Sequence, residues 1–273
     1  MFTTVSITSL NRPDLTPYRT LRQSVEQFRK GMFIAEGILV VQRLLESTHK
    51  IISVLTTPEW LEDYREHLAA RPEQITIYLG KKELLNTIVG YNLHQSIMAL
   101  GVIPKQETLD SVFTRSSPPR LFVAIDGLTN AENIGVLVRN CTAFGVQAIL
   151  VGETSSSPYL RRAVRNSMGN VFKMPVIHCQ NLVDTLLMLQ RSHQFKVYAA
   201  HPHTEEHSIQ RTDFSGNCCL VFGSEGNGVS PQILSVCDMP VAIPMQCDVD
   251  SLNVASASAV FLYEVMRQRN SSK

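Results

Sequence analysis

Short apolar runs alternate with amphipathic stretches along most of the chain. The clearest run, LFVAID at residues 121–126, is continuous, which is typical of a strand buried on both faces of a parallel sheet. Between the runs, apolar residues recur at helical spacing. In the stretch PEWLEDYREHLAA, Pro58 stands where a first helical turn accepts proline. The alternation predicts an α/β fold.

The pattern is interrupted at residues 105–119, a polar stretch that ends in Ser-Ser-Pro-Pro and predicts a linker. Residues 1–104 are predicted to form a small, parallel-rich α/β domain, and residues 120–273 a second α/β domain with a parallel sheet. The first domain is predicted to contain helices at 17–30, 37–46, 58–70 and 81–89, and strands at 32–35, 51–57, 75–79 and 96–100. The second is predicted to contain strands at 121–126, 148–152, 174–177, 196–200, 218–223 and 239–245, and helices at 133–144, 158–166, 182–191 and 251–269.

Composition narrows the class of protein. The chain has 273 residues, of which 44% are hydrophobic and 18% charged, as expected for a globular protein with room for two cores. No run approaches the ~18 apolar residues of a membrane helix, and the N-terminus lacks a signal-peptide pattern. The six cysteines form no CxxC pair. We therefore expect a cytoplasmic protein with buried, reduced thiols and no membrane segment.

Charge gives little support to nucleic-acid binding. The net charge is +1, with 13 Lys and Arg against 12 Asp and Glu before residue 117 and 12 of each after it. An RNA-binding surface must therefore come from local clustering. Two clusters could supply it, although each could equally be a solvated helix face: Arg19, Arg22, Arg29 and Lys30, and Arg161, Arg162 and Arg165. The histidines of HPHTEEH (201–207) lie in a polar loop without a second ligand cluster, so no metal site is predicted.

Three blocks in the second domain carry the candidate chemistry: NIGVLVR (133–139), LVFGSEGNG (220–228) and IPM…SLNVASA (243–257). Each lies where an apolar strand gives way to a loop or helix, which is where open α/β sheets bind ligands. The glycines of the second block follow G-x-x-G-x-G. They match neither the dinucleotide fingerprint nor the phosphate loop, and a plain turn is the alternative.

Individual residues in these blocks also have structural explanations. Asn133 is predicted to cap a helix, and Ser251 or Asp250 to cap the last one. Arg139 precedes an apolar stretch, so we expect it to be buried against an anion, and a structural salt bridge is the alternative. Asn253 is unusual one turn into a helix, where it could simply face solvent.

The three blocks, in this order, resemble those of the SpoU (TrmH-like) ribose 2′-O-methyltransferases of the SPOUT superfamily. The resemblance covers residues 120–269. The N-terminal half is similar to the substrate-binding domain of many members, in RKGMFIAEG and in LHQSIMAL. The family resemblance implies an α/β SPOUT domain with a trefoil knot, preceded by an RNA-binding domain. It also implies a homodimer that acts on ribosomal or transfer RNA.

The resemblance also implies a cofactor and a catalytic set. S-adenosylmethionine would be held in the knot, and the ribose hydroxyl would react beside Arg139. The implied cofactor-binding residues are Gly223, Glu225, Gly226, Ile243, Met245 and Leu252. The implied catalytic residues are Asn133, Arg139, Glu225, Ser251 and Asn253.

Two departures from the family pattern affect the prediction of the substrate. A block that often ends in Gly-Ala reads RNSMGN (165–170), and the His-Gln-Gly pattern reads His-Gln-Ser at 94–96. Two other classes of function are weighed against the methyltransferase. The intact catalytic set argues against an RNA-binding protein that has lost activity, and the missing G-x-G-x-x-G argues against a nucleotide-dependent oxidoreductase. The two-domain layout favours ribosomal RNA over transfer RNA.

Overall fold

The computed structural model describes residues 1–21, 24–88, 97–202, 204, 207–246 and 250–271. The chain folds into two compact units, and each contains two stretches of sequence. Unit 1 is formed by Met1–Lys105 and Tyr159–Lys173, and unit 2 by Gln106–Pro158 and Met174–Lys273. We call Tyr159–Lys173 the arginine segment. The predicted His94–Ser96 motif, with Arg22, lies outside the described residues.

Unit 1 is built around a mixed five-stranded sheet, in the order β1-β4-β3-β5-β2. Strands β1, β4 and β3 run parallel, whereas β5 pairs antiparallel with both β3 and β2. Its elements are β1 (Phe2–Ser6), β2 (Met32–Glu36), β3 (Ile51–Thr56), β4 (Ile75–Leu79), β5 (Ile97–Val102), α1 (Thr16–Arg19), α2 (Ser24–Arg29), α3 (Ile38–Leu45), α4 (Pro58–Ala69), α5 (Lys82–Asn86) and α8 (Arg161–Asn166), with 3₁₀ turns at Pro13–Leu15 and Asn170–Lys173.

Unit 1 differs from the prediction in three respects. The single helix expected at 17–30 is replaced by a 3₁₀ turn, α1 and α2. Strand β1 was not predicted, because FTTVS lies at the sheet edge, where both faces are largely exposed and no buried run results. The sheet is also less parallel than expected, since β5 returns against its neighbours.

Unit 2 is built around a six-stranded sheet in the order β11-β9-β10-β6-β7-β8, with every pair parallel. The predicted α/β class and parallel sheet are confirmed, whereas the trefoil knot stays a prediction. Its elements are β6 (Leu121–Ile125), β7 (Ala148–Val151), β8 (Val176–His178), β9 (Lys196–Ala200), β10 (Cys218–Phe222), β11 (Met239–Val241), α6 (Leu109–Arg115), α7 (Ala131–Ala143), α9 (Leu182–His193), α10 (Pro231–Leu234) and α11 (Val254–Ser271).

The stretch predicted as a linker contains a helix. Thr108 caps α6 by accepting a hydrogen bond from the Ser111 backbone N–H at 3.2 Å. Val112 is buried, and Leu109 and Phe113 pack against the same core. The apolar residues of LDSVF have helical spacing, which is typical of a helix. The polar residues on either side led to the prediction of a linker instead.

Strands β6 and β10 occupy the middle of the sheet in unit 2, and every residue of both is buried. Cys141, Cys179, Cys218 and Cys219 are buried free thiols, and Cys237 is partly buried, whereas Cys247 lies outside the described residues. Desolvation raises the pKa of the Cys141 and Cys219 thiols. Over the described part of the chain, no helix is long and apolar enough to cross a membrane.

Candidate functional site

A cavity of about 510 Å³ opens at the carboxyl ends of β9 and β10 in unit 2. Three stretches line it: residues 200–202 after β9, residues 222–228 after β10, and residues between 243 and 261. All six residues predicted to bind a cofactor lie in its wall: Gly223, Glu225, Gly226, Ile243, Met245 and Leu252. Parallel strands thus bring two of the motif blocks to one edge of the sheet.

The loop after β10 closes tightly on itself. Ser224 and Gly228 exchange backbone hydrogen bonds, both 3.0 Å long, and Gly228 has φ +66°. A Cβ at Gly223 would lie 2.0 Å from the Gly228 carbonyl carbon, so this position accepts only glycine. Gly226, in contrast, has nothing within 4 Å of a built Cβ. The turn therefore needs glycine at Gly223 and leaves open space at its tip.

A chain of side-chain hydrogen bonds joins all three blocks. Asn253 Nδ2 donates to Asn133 Oδ1 at 3.2 Å, and Asn133 Nδ2 donates to Glu225 Oε1 at 2.5 Å. The three residues belong to the start of α11, to α7 and to the loop after β10. The fold thus brings together three of the five predicted catalytic residues, of which Asn133 lies 92 positions from Glu225 and 120 from Asn253 in sequence.

Helix capping differs from the prediction. Asn130, not Asn133, caps α7, because its Oδ1 accepts from the Glu132 and Asn133 backbone N–H groups. Helix α11 begins at Val254, and Asn253 Oδ1 accepts from Ala255 N at 2.9 Å. Asn253 is therefore a cap rather than a residue one turn in, and the expected caps Asp250 and Ser251 lie upstream, where both line the cavity.

Arg139 does not have the expected surroundings. It is exposed, and no hydrogen bond or ion pair of its guanidinium occurs within the described residues, so the expectation of a buried arginine beside an anion is wrong. Asn140, its neighbour on α7, faces α11 and donates to Ala255 O at 2.8 Å and to Ser258 Oγ at 3.0 Å. Arg139 thus projects from a helix that is itself fixed, and its charge is available to a ligand.

Sequence reasoning missed several residues that line the cavity. His201 and Pro202 follow β9, and Ala257 and Phe261 lie one helical turn apart on α11. The position of His201 directly after the run KVYAA was an available signal, since ligands bind beyond strand ends. Within the described residues no group of His, Cys, Asp and Glu is arranged to hold a metal. The absence of a metal stays a prediction, because part of the 201–207 loop is not described.

Residues 120–263 match the model of the SpoU rRNA Methylase family. An uncharacterized tRNA/rRNA methyltransferase of Mycobacterium tuberculosis is 30% identical over 242 residues, covering 87% of this chain and 82% of that protein. The 23S rRNA (guanosine-2′-O-)-methyltransferase of Acinetobacter baylyi is also 30% identical, covering 85% of this chain and 96% of that protein.

A solved structure has the same fold. The SpoU methyltransferase AviRb of Streptomyces viridochromogenes, in complex with AdoMet, superposes with a TM-score of 0.80 at 22% identity, covering 94% of this chain and 98% of that chain. The match of the family model over more than half of the residues is decisive. The chain belongs to the SpoU rRNA methylase family and is an RNA methyltransferase, which confirms the family that its motifs predicted.

Proposed function

We propose that the protein transfers a methyl group from S-adenosylmethionine to a ribose 2′-hydroxyl of ribosomal RNA. The observation that carries the proposal is the hydrogen-bond chain Asn253–Asn133–Glu225 at the edge of the cavity. It links the two cofactor-binding blocks to α7, the helix that bears Arg139.

The cavity suits the cofactor in size and chemistry. Its volume of about 510 Å³ lies in the range of small-molecule sites. Gly223 and Gly228 form a cradle in which no Cβ stands between a ligand and the backbone of the turn. Ile243, Met245 and Leu252 supply apolar contacts, and backbone groups near Gly226 supply polar ones. When bound there, S-adenosylmethionine supplies an electrophilic methyl group on a sulfonium.

The predicted catalytic residues then have distinct roles. A ribose hydroxyl must lose its proton as its oxygen bonds to carbon. Arg139 keeps its own proton, since a guanidinium is always charged in proteins, so its role is to stabilise the developing alkoxide and to hold an adjacent phosphate. Asn133 and Asn253 orient the ribose together with Ser251, and Glu225 fixes the Asn133 amide.

The names of the relatives support the choice of substrate. The Acinetobacter relative is named for 23S rRNA and the mycobacterial one for tRNA or rRNA, and we favour ribosomal RNA. A homodimer in the cytoplasm is part of the proposal. Val260 and Tyr263 lie on α11, the helix that packs against α7, and expose 40% and 53% of their surface. These apolar side chains are suited to form a contact with a second copy of the chain.

The first test is calorimetric titration with S-adenosylmethionine. Saturable binding is expected for the wild-type protein and loss of binding for Ile243→Arg, which places a charge in the apolar wall of the cavity. Ile243 is only partly buried, so the variant should still fold. A folded wild-type protein without binding would contradict the proposal and favour an inactive RNA-binding protein.

The second test concerns chemistry. Arg139→Ala should bind the cofactor normally, because Arg139 does not line the cavity, yet lower turnover on ribosomal RNA by about 100-fold or more, as expected when a charge-stabilising donor is lost. Turnover is measured by incorporation of labelled methyl groups. Near-normal turnover would remove Arg139 from the catalytic set.

A further inference from the structure

The two units carry opposite net charges, although the chain as a whole is nearly neutral. Unit 1 contains 16 Lys and Arg against 10 Asp and Glu, a net charge of +6. Unit 2 contains the remaining nine Lys and Arg against 14 Asp and Glu, a net charge of −5. The division near residue 117 concealed this asymmetry, because the arginine segment lies in the second half of the sequence but in unit 1 of the structure.

The arginine segment supplies most of the excess charge of unit 1. Its 15 residues contain Arg161, Arg162, Arg165 and Lys173 and no acidic residue. Arg162, Arg165 and Lys173 are exposed, whereas the Arg161 side chain is only 13% exposed. The Glu36 carboxylate forms ion pairs with two of these arginines, Arg161 and Arg165.

Glu36 fixes the helix that bears the arginines. Its carboxylate, 6% exposed, accepts from Arg161 Nε at 2.9 Å and lies 3.6 Å from Arg165 Nη1. Both arginines belong to α8, which packs on β2, the strand that ends with Glu36. Two of the three exposed cations, Arg162 and Arg165, therefore lie on a short helix that is anchored by a buried ion pair, and the third, Lys173, ends the 3₁₀ turn Asn170–Lys173.

Other contacts hold the remainder of the segment. Arg43 on α3 donates to the Met168 carbonyl at 2.5 Å, and His49 Nε2 lies 2.9 Å from the Tyr159 hydroxyl. The Phe172 ring packs 5.3 Å from that of Phe33. The exposed cations are thus presented from a rigid, well-packed base, which lowers the entropy lost when a ligand binds.

We propose that the exposed face of the arginine segment is the surface on which unit 1 binds the phosphates of the RNA substrate. The inference rests on the proposed function and adds to it the place where the RNA docks. A polyanion is attracted by a unit of charge +6 and repelled by a unit of charge −5, so the arginine segment selects where the backbone lies. Phosphate contacts fix the register of the RNA without reading its sequence.

The experiment measures RNA binding as a function of salt. A fluorescein-labelled transcript of a 23S ribosomal RNA fragment is titrated with protein between about 50 and 200 mM KCl. The test variant is Arg162→Gln with Lys173→Gln. The matched control is Arg191→Gln with Lys196→Gln, an exposed arginine and lysine of unit 2. All four side chains are exposed, so both variants should fold.

Each phosphate contact contributes about 0.7 to 0.9 to the slope of log K against log salt. The test variant should therefore lose about 1.5 from the slope, while its turnover at saturating RNA stays near that of the wild type. The control variant should keep the wild-type slope. An unchanged slope in the test variant, or an equal loss in the control, would overturn the inference.

Calorimetry with S-adenosylmethionine separates this inference from the proposed function. If all variants bind the cofactor but the test variant keeps its slope, the docking surface is wrong and the methyltransferase proposal stands. If the slope of the test variant differs from that of the wild type as expected but the wild type binds no cofactor, the docking surface is supported and the proposed function fails.

Discussion

The loops that follow β10 and β7 begin at the same edge of one parallel sheet, yet they are built in opposite ways. The loop after β10 closes within six residues through backbone hydrogen bonds, and its glycines leave a cavity open. The chain after β7 runs on into the arginine segment, which belongs to unit 1 and is held by side chains: an ion pair, an arginine-to-carbonyl bond and packed rings.

The difference shows how each loop can serve a different ligand. A small cofactor needs close approach to backbone, which only a glycine turn allows. A polyanion needs charges at fixed positions, which a well-packed base provides. Adding a methyl group should therefore destabilise the loop after β10. Removing one partner of an ion pair should destabilise the arginine segment.

The largest effect is expected for Gly223→Ala. The added Cβ would lie 2.0 Å from backbone carbon of Gly228, and only a shift of the whole turn could relieve the clash. We expect a loss of more than about 3 kcal/mol of unfolding free energy, measured by urea denaturation, together with loss of cofactor binding. Gly226→Ala, where a Cβ meets nothing within 4 Å, should keep the wild-type stability. Equal stability of the two variants would contradict the role of the turn.

The next effect is expected for Arg161→Ala. The substitution leaves the buried Glu36 carboxylate with only the more distant Arg165, and should cost about 3 kcal/mol in the unfolding free energy. Arg162→Ala, one position along the same helix but exposed, should change the unfolding free energy by less than about 0.5 kcal/mol. If both variants are equally stable, the ion pair does not hold the segment.

Acid should weaken the arginine segment through His49. Burial, reinforced by the Arg71 charge, lowers the pKa of His49 to about 4. Its Nδ1 finds no hydrogen-bond partner within the described residues, so an added proton would be unsatisfied. The unfolded state takes up this proton near pH 6.5, so the stability from His49 is complete above that pH and is lost as pH falls towards 4.

Between pH 7 and pH 5 the protonation of His49 should lower the unfolding free energy by about 2 kcal/mol. The measurement is the pH dependence of the unfolding free energy of the wild type compared with His49→Gln. The comparison is needed because burial also lowers the pKa of His178, in unit 2. Parallel curves for the two proteins would rule out the role of His49.

The smallest change in stability is expected for Asn253→Ala, which removes the cap of α11 and should cost about 1 kcal/mol. Asn253→Asp keeps an oxygen for the Ala255 N–H but cannot donate to Asn133 Oδ1. Its thermal stability should recover while its turnover on ribosomal RNA stays low. Recovery of both would show that Asn253 acts only as a cap.

Sequence patterns predicted what depends on neighbouring residues. Continuous apolar runs identified β6, β9 and β10, and the glycine-containing block that follows β10 indicated where a ligand would bind. The family resemblance of the motif blocks identified six residues of the cavity wall, whereas the wall residues after β9 and inside α11 were missed.

Contacts between distant positions were not predictable in this way. Glu36 and Arg161 are 125 positions apart, and nothing in MFIAEG or in YLRRAV indicates that the two charges meet. The same applies to Arg139, whose apolar neighbours suggested burial although its own position on α7 faces outward. The burial of neighbouring residues therefore does not predict the burial of a residue on the outer face of a helix.

The insertion of the arginine segment between β7 and β8 has a consequence for dissecting the protein. A fragment that ends at Lys105 lacks the residues that cover β2 and α3, and it exposes the faces on which Val164, Val171 and Phe172 pack. The complementary fragment carries those apolar side chains without their partner surface. The boundary between the units is thus not a single cut point, and exchanging RNA-recognition modules among relatives requires two grafts made together.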